Sequence, residues 1–452
     1  MFGTVLIANR GEIALRVART CRELGIRTVV VHSAADEGTA PVRFADQAVR
    51  IGPAPAGRSY LNAAAVLQAA LQTGAEAIHP GYGFLSENPD FAQMCEEAGL
   101  AFVGPPAGVL ARLGDKAGAL RAVAEAGLPV LPWSGGPVDG LAEARAAAAG
   151  IGYPLIVKAV AGGGGRGMAV VRDARDLPGA YARVRGTAAA VFGDDRLYLE
   201  RYVEAARHVE VQVLADRHGA VVHLGARDCS VQRRHQKLVE ESPVPGWRPE
   251  ATERLCEAAV SAARATGYAG AGTFEFLAGP DGTFAFIEAN CRIQVEHPVT
   301  EMVAGVDIVA EQLRVAAGLK LSFGQDDVRL RGAAIECRVN AEDPDRGFLP
   351  SPGRVERLAL PGGPFVRVDG YLEHGLDVPA AYDPLLAKVV VWAHDRAAAI
   401  ARMRRALSEL TVEGPGLRTT AGFLPRVLTH PLFESGGHDT TLVDRMTREE
   451  TP

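Results

Sequence analysis

The stretch Glu288-Ala289-Asn290-Cys291-Arg292-Ile293-Gln294-Val295-Glu296 places a carboxylate, amide or guanidinium at every second residue. An extended backbone sends alternate side chains to opposite faces, so Glu288, Asn290, Arg292, Gln294 and Glu296 begin on one side. A solvated strand also alternates, but it favours Lys and Thr over this set. Eight residues of strand cover roughly 26 Å, too far for one small substrate, so the chain must curl after the first few if all five groups serve one site. A second carboxylate lies upstream. Thr273-Phe274-Glu275-Phe276-Leu277 reads as a strand, Gly279-Pro280-Asp281-Gly282 as a turn, and Phe284-Ala285-Phe286-Ile287 as the returning strand. That hairpin sets Glu275 beside Glu288, with Asn290 near. Hard cations take oxygen ligands, and Mg²⁺ is commonly held by one or two carboxylates plus substrate phosphates.

Cationic groups for such a site are scarce in one respect. Of 48 basic residues only five are lysine: Lys116, Lys158, Lys237, Lys320 and Lys388. A chain that uses arginine for generic surface charge keeps lysine where a compact point charge is needed. Lys158 ends the strand Tyr153-Pro154-Leu155-Ile156-Val157-Lys158. The run Ala159-Val160-Ala161-Gly162-Gly163-Gly164-Gly165-Arg166-Gly167-Met168 follows, then the strand Ala169-Val170-Val171. Two strands joined by a glycine-rich loop make a flap whose backbone N–H groups can approach phosphate closely. It is not a Walker loop, since no GK[ST] ends it and no helix follows. Leu197 to Val203 reads as a short strand and linker, and His208 to Leu214 as a strand with Glu210 and Gln212 on one face. The segment Ala226 to Lys237 is dense with Arg, His and Lys. It reads either as a solvated face or as contacts to nucleotide phosphates and an anionic substrate.

The positioning elements begin with a parallel α/β unit of about the first 110 residues. Its strands are Thr4 to Ala8, Arg27 to His32, Glu76 to His79 and Leu100 to Val103, alternating with helices Gly11 to Leu24, Tyr60 to Gln72 and Glu87 to Ala98. The first turn, Ala8-Asn9-Arg10-Gly11-Glu12, lacks GxGxxG, so the shape is Rossmann-like without support for nicotinamide binding. His79-Pro80-Gly81-Tyr82-Gly83-Phe84-Leu85-Ser86-Glu87-Asn88 leaves a strand end, the usual ligand side of such sheets. Asp307 to Ala317 reads as a helix, a β-rich tail starts near Gly332, Leu385 to Trp392 is a strand, and Arg396 to Leu410 is a helix. The formal charge of -6 over 452 residues gives no argument for nucleic acid or membranes, and no stretch approaches the ~20 apolar residues of a membrane span. Six scattered cysteines without a CxxC pair argue for free thiols in a reducing cytoplasm, against zinc or disulfides.

These pieces together resemble one family closely. "IANRGEIALRV", "HPGYGFLSEN", "GDK", "GGGGRGM", "RDCSVQRRHQK", "GAGTFEF", "IEANCRIQVEHPVTE", "ECRVNAEDP" and "FLPSPG" are similar to biotin carboxylase of the ATP-grasp superfamily, in order from about residue 2 to residue 440. The resemblance implies an α/β and α+β fold: a Rossmann-like parallel-sheet domain over 1–112, an ATP-grasp domain over 113–320 with a glycine-rich lid at about 130–203, and a β-rich C-terminal domain over 332–440. It implies that ATP, with Mg²⁺ or Mn²⁺, phosphorylates bicarbonate to carboxyphosphate, whose CO₂ passes to biotin. Lys116, Lys158, Gly162, Gly163, Gly164, Gly165, His208, Gln232, His235 and Leu277 match nucleotide-binding positions, and Glu200, Arg201 and Val203 the adenine linker. Glu275 and Glu288, with Asn290, match the metal ligands and also face the nucleotide. Lys237, Arg292, Gln294 and Val295 match the bicarbonate and phosphate contacts, Glu296 the general base, and Arg338 the cation that steadies the biotin enolate.

Physical chemistry agrees with those roles. Phosphoryl transfer needs positioning and charge neutralisation more than covalent help, and a bidentate guanidinium suits planar bicarbonate at Arg292. Two positions depart from the family: Ala226 stands where glutamate is common, and Cys291, where threonine is frequent, would open the site to oxidation. The chain ends without a carboxyltransferase-sized segment, and none of its lysines sits between methionines as the biotin-bearing lysine does. The expected partners are therefore a separate biotin carboxyl carrier protein and a carboxyltransferase subunit, with a second copy of the chain as in the commonly homodimeric family. The other readings are an ATP-grasp ligase of the carbamoyl phosphate synthetase type and a nucleotide-binding homologue without turnover. RRHQK with IQVEHPVTE favours biotin over the first, and the full set of charged residues weighs against the second.

Overall fold

The computed structural model describes residues 1–161, 167–279 and 281–449. The expected flap residues Gly162, Gly163, Gly164, Gly165 and Arg166, and Pro280 of the turn, lie outside the described residues. Five parallel strands open the chain, in the spatial order Gln47–Gly52, Arg27–Ser33, Thr4–Ile7, Ala77–His79, Ala101–Phe102. Their apolar runs suit a sheet covered on both faces by helices; Val5, Leu6 and Ile7 are wholly buried. The strand Gln47–Gly52 escaped the sequence reading because it is an edge, half exposed along its length, with no apolar run to mark it. The order reverses between Thr4–Ile7 and Ala77–His79, where ligands of such sheets collect beyond the carboxyl ends. The turns leaving those two ends are tied together. Asn9 Nδ2 donates to the carbonyls of Pro80 and Tyr82, each at 2.7 Å. Gly81 is needed there: its φ is +63°, and a Cβ would stand 2.9 Å from that Nδ2.

An eight-stranded antiparallel sheet forms the centre of the molecule. Its order is Phe284–Asn290, Gly270–Ala278, Arg207–Ala215, Val221–Arg233, Gln236–Ser242, Ala333–Asn340, Leu385–Ala393, Val366–Gly370. The sheet runs without a break into the C-terminal segment, because Gln236–Ser242 pairs directly with Ala333–Asn340. One face carries Val209, Val211, Val213, Phe274, Phe276 and Phe286, packed with Leu255 and Ala259 of the helix Pro249–Ala265. The C-terminal strands pack Ile335, Cys337, Val389 and Val391 against Met403 and Leu407 of the helix Arg396–Glu409. Asp395 caps that helix, its carboxylate accepting from Ala398 N–H at 2.8 Å.

A third sheet stands apart: Met168–Val171, Leu155–Ala159 and Leu197–Arg201, antiparallel. The helices Gly140–Ile151 and Leu177–Phe192 cover it, and Leu155, Val157, Val171, Leu177, Val184 and Leu197 form a core of its own. The α/β and α+β architecture expected from the sequence is present: a Rossmann-like sheet first, this lid and the charged sheet in the middle, and a β-rich C-terminal part. No helix among the described residues is long and apolar enough to cross a membrane.

Candidate active site

The polar face of the central sheet carries the chemistry. Strand register aligns Arg227, Glu210, Glu275 and Glu288 in one row across four adjacent strands. Two residues along, Gln212, Thr273 and Asn290 form a second row. The alternation that buries Val211 and Phe274 beneath forces these groups to the same upper face. Glu210 and Glu275 are almost wholly buried, and buried carboxylates cost several kcal/mol each unless paired, by order of magnitude. Pairing is extensive. Arg227, entirely buried, satisfies its five N–H donors: Nε to Glu210 at 2.6 Å, Nη1 to Gln212 at 2.9 Å and Thr300 at 2.8 Å, Nη2 to Thr273 at 3.1 Å and Gln294 at 3.3 Å.

Lys237 is the hub. Its Nζ reaches Glu210 at 2.6 Å, Glu275 at 3.0 Å and Glu296 at 2.6 Å. Burial alone would push the ammonium down, but three carboxylates hold it well above its ordinary range. The charge run that read as solvated or ligand-binding is a buried strand and a hairpin. Val221–Arg233 turns through Arg234 and His235, with φ of 48° and 66°, into Gln236–Ser242. Gln232 pairs with Lys237 across it, and His235 sits exposed at its tip.

The curl demanded by the sequence is present. The strand ends at Asn290, and Glu87 gathers the next residues, accepting from Cys291 N–H at 2.8 Å and Arg292 Nε at 2.8 Å. Arg292 Nη2 also donates to Asn290 Oδ1 at 2.9 Å, while Gln294 Nε2 donates to Glu275 at 2.8 Å. Glu296 then begins the helix His297–Ala304, which Pro298 helps initiate. Its carboxylate lies between Lys237 at 2.6 Å and Arg338 Nη2 at 3.0 Å. Burial would raise Glu296, but Lys237, Arg338 and Arg227 hold it far below the usual carboxylate range. Lys388, fully buried, donates to the Val295 carbonyl at 2.9 Å and pairs with Glu12 at 3.0 Å.

Toward the lid the same pattern continues. Lys116 pairs with Glu288, and Lys116 keeps Glu288 below its ordinary range against burial. His208 Nε2 lies 2.8 Å from Glu275 Oε2, and Asn290 Nδ2 donates to Glu275 Oε1 at 2.8 Å. Glu275, Glu288 and Asn290 thus give a hard, oxygen-rich donor set with neutralising cations at hand, which fits a divalent ion and phosphates. On the lid, Lys158 Nζ lies 3.1 and 3.2 Å from the two Glu200 oxygens. The linker beyond is fixed by Arg201 N–H to the Pro132 carbonyl at 2.8 Å and Tyr202 N–H to that of Pro154 at 3.1 Å. Leu277 pairs with His208 on the central sheet, and Val203 follows the lid strand.

The structure joins His208, Lys237, Glu275, Asn290, Arg292, Gln294, Glu296 and Arg338 into one hydrogen-bonded and ion-paired network, with the Lys116–Glu288 pair beside it, Glu288 in register with Glu275. Lys158, Glu200, Arg201 and Val203 stand apart on the lid, and His235 on its hairpin tip. Sequence reading missed Arg227, Glu210, Glu87, Glu240 and Lys388 as site residues. Glu210 had been placed on a polar face, Glu87 lay in a quoted motif, and Lys388 belonged to the sparse lysines; each carried a signal without a partner to make it legible. One expectation fails. Cys291 is buried, and burial beside Glu87 holds its thiol well above the ordinary range, so it lacks the accessible thiolate that oxidation requires.

Comparison with known proteins accounts for this arrangement. The family "Biotin carboxylase, N-terminal domain" matches residues 1–110, "Carbamoyl-phosphate synthase L chain, ATP binding domain" residues 115–323, and "Biotin carboxylase C-terminal domain" residues 336–445. Biotin carboxylase of Haemophilus influenzae is 52% identical over 438 residues, 97% of each chain. The biotin carboxylase–β,γ-ATP complex from Campylobacter jejuni superposes with a TM-score of 0.96 at 45% identity, covering 98% of this chain and 99% of that one. The biotin carboxylase domain dimer of Hydrogenobacter thermophilus 2-oxoglutarate carboxylase, a complex with MgADP, ADP and bicarbonate, also gives 0.96, at 46% identity over 99% and 98%. On these matches over nearly its whole length, the chain belongs to the biotin carboxylase family.

Proposed function

We propose that this chain carries out the ATP- and bicarbonate-dependent carboxylation of biotin on a carrier protein, as the first half-reaction of a multisubunit acyl-CoA carboxylase of the acetyl-CoA type. The observation that carries the reading is Glu296, ionised and clamped between Lys237 and Arg338, with Arg292 and Gln294 on the same turn. Bicarbonate bound there meets a guanidinium that can take it bidentately, an ammonium for its charge and a carboxylate for its proton. Anion binding draws Lys237 and Arg338 partly away from Glu296, which raises its basicity when a proton must be taken. Lys116, Lys158, His208, Gln232 and His235 face the nucleotide, while Glu200, Arg201 and Val203 border the adenine. Glu275, Glu288 and Asn290 would hold Mg²⁺, which supplies charge neutralisation at the phosphates. Arg338 steadies the negative charge on the biotin ureido oxygen. The lid boundaries near 130 and 203, the carrier and carboxyltransferase partners, a homodimer and a cytoplasmic location belong to the same reading.

ADP release is measured with Mg²⁺, ATP and bicarbonate, with and without free biotin, beside Glu296→Ala. Biotin-stimulated release that falls by about 10²- to 10⁴-fold in the variant supports the reaction and its base together. Turnover indifferent to biotin would assign the site to another bicarbonate-activating ligase.

A further inference from the structure

Arg338 divides its guanidinium between two carboxylates. Nε donates to Glu240 Oε1 at 2.6 Å, and Nη2 contacts both Glu240 and, at 3.0 Å, Glu296. Glu240 is wholly buried on Gln236–Ser242, and its register partner on the next strand is Glu336, also wholly buried. Glu240 Oε2 and both oxygens of Glu336 have no hydrogen-bond partner among the described residues. Two buried carboxyls so placed do not both ionise.

The charged and titratable groups facing the pair come from several elements. They are Lys237 on the same strand, Cys229 on Val221–Arg233, Arg338 beside Glu336, Lys388 on Leu385–Ala393, and Glu296 at the helix start. Burial pushes Glu240 up to about 7 against the pull of Arg338. Burial holds Glu336 well above the carboxylate range even with Lys388 near. Glu240, hydrogen-bonded to Arg338, is therefore the member of the pair that ionises.

We propose that Glu240 is a positioning residue for the reaction proposed above, on which this inference rests: its carboxylate holds Arg338 from behind and keeps that charge divided, so that Glu296 stays basic enough to take the bicarbonate proton. Once Glu240 is protonated, Arg338 turns its charge to Glu296, whose affinity for a proton falls. Protonation of Glu240 and its replacement by an amide have the same effect, and this makes the idea testable.

The experiment is kcat/KM for biotin across about pH 6 to 9 in the unmodified protein, Glu240→Gln, Glu240→Asp and Glu336→Gln, with thermal melts beside each. The unmodified protein should show a rising limb centred near 7. Glu240→Gln should lose the limb and run about tenfold lower on the alkaline side. Glu240→Asp should restore a displaced limb, and Glu336→Gln, which replaces a neutral acid with a neutral amide, should keep the original one. A Glu240→Gln profile with the limb in place, whether at full or uniformly reduced rate, overturns the role. Should that variant not fold, Glu240→Asp decides: a displaced limb supports the role and an unmoved one removes it. Absence of biotin-stimulated turnover in the unmodified protein strikes the proposed function itself, a result separate from any of these.

Discussion

The central sheet and the lid sheet are both antiparallel, yet they are held together by opposite means. In the central sheet the functional face is a lattice of shared charges: Lys237 serves three carboxylates and Arg227 five acceptors. The lid relies on an aliphatic core of its own, and its buried pair Lys158–Glu200 stands outside that lattice. A lattice cannot lose one member without stranding the others, whereas a self-cored layer can swing as a unit and keep its fold. The contrast separates a face of interlocked charges from a layer that carries its own core.

The hardest test of this contrast is Arg227→Met. Removing the cation leaves Glu210 with Lys237 alone and takes the donors from Gln212, Thr273, Thr300 and Gln294, and should cost about 3–5 kcal/mol of global stability, read from denaturant unfolding. A loss under about 1 kcal/mol would mean that the lattice is redundant. Leu197→Ala in the lid should cost about 2–5 kcal/mol, but locally. Hydrogen exchange should accelerate in Leu155–Ala159 and Leu197–Arg201 while the central strands keep their protection, and uniform acceleration would erase the distinction.

Acid has the next effect. His79, fully buried with Gly81 N–H donating to its Nδ1 at 3.0 Å, is held down to about 3 by burial. The unfolded chain takes up this proton near 6.5 and the folded chain does not, so stability present above that pH is lost as pH falls toward 3. The slope from this group is about 1.4 kcal/mol per pH unit. His79→Gln should flatten the curve by that amount. The smallest effect expected is at the lid surface, where Arg185 and Asp195 form a half-exposed pair. Arg185→Gln should leave the denaturant midpoint unchanged within error, and a clear loss would show the lid to depend on charge as well.

Much of this was legible in the chain. The apolar runs at Val5 and Val29 announced buried parallel strands, and the Gly279 to Gly282 turn announced the hairpin that sets Glu275 opposite Glu288. The need for a curl after Asn290 followed from strand length alone. The edge strand Gln47–Gly52 was hidden because half exposure leaves no periodicity. Arg227 was hidden for a different reason. A guanidinium inside a run of Arg, His and Lys has the signature of a wet surface, and only the neighbouring strand, which supplies Glu210 and Gln212, turns it into an interior residue. Glu240 and Glu336 are paired by a register between strands about a hundred residues apart, which no local pattern encodes.

The hydrogen bond from Lys388 to the Val295 carbonyl has a consequence for synthesis. The turn that carries Glu296 is completed by Lys388 on the strand Leu385–Ala393, which leaves the ribosome 93 residues after Val295. A nascent chain that has finished its nucleotide-binding portion still lacks the brace of its reaction centre. The order of residues thus leaves the turn at Glu296 unbraced until the later strand has been made.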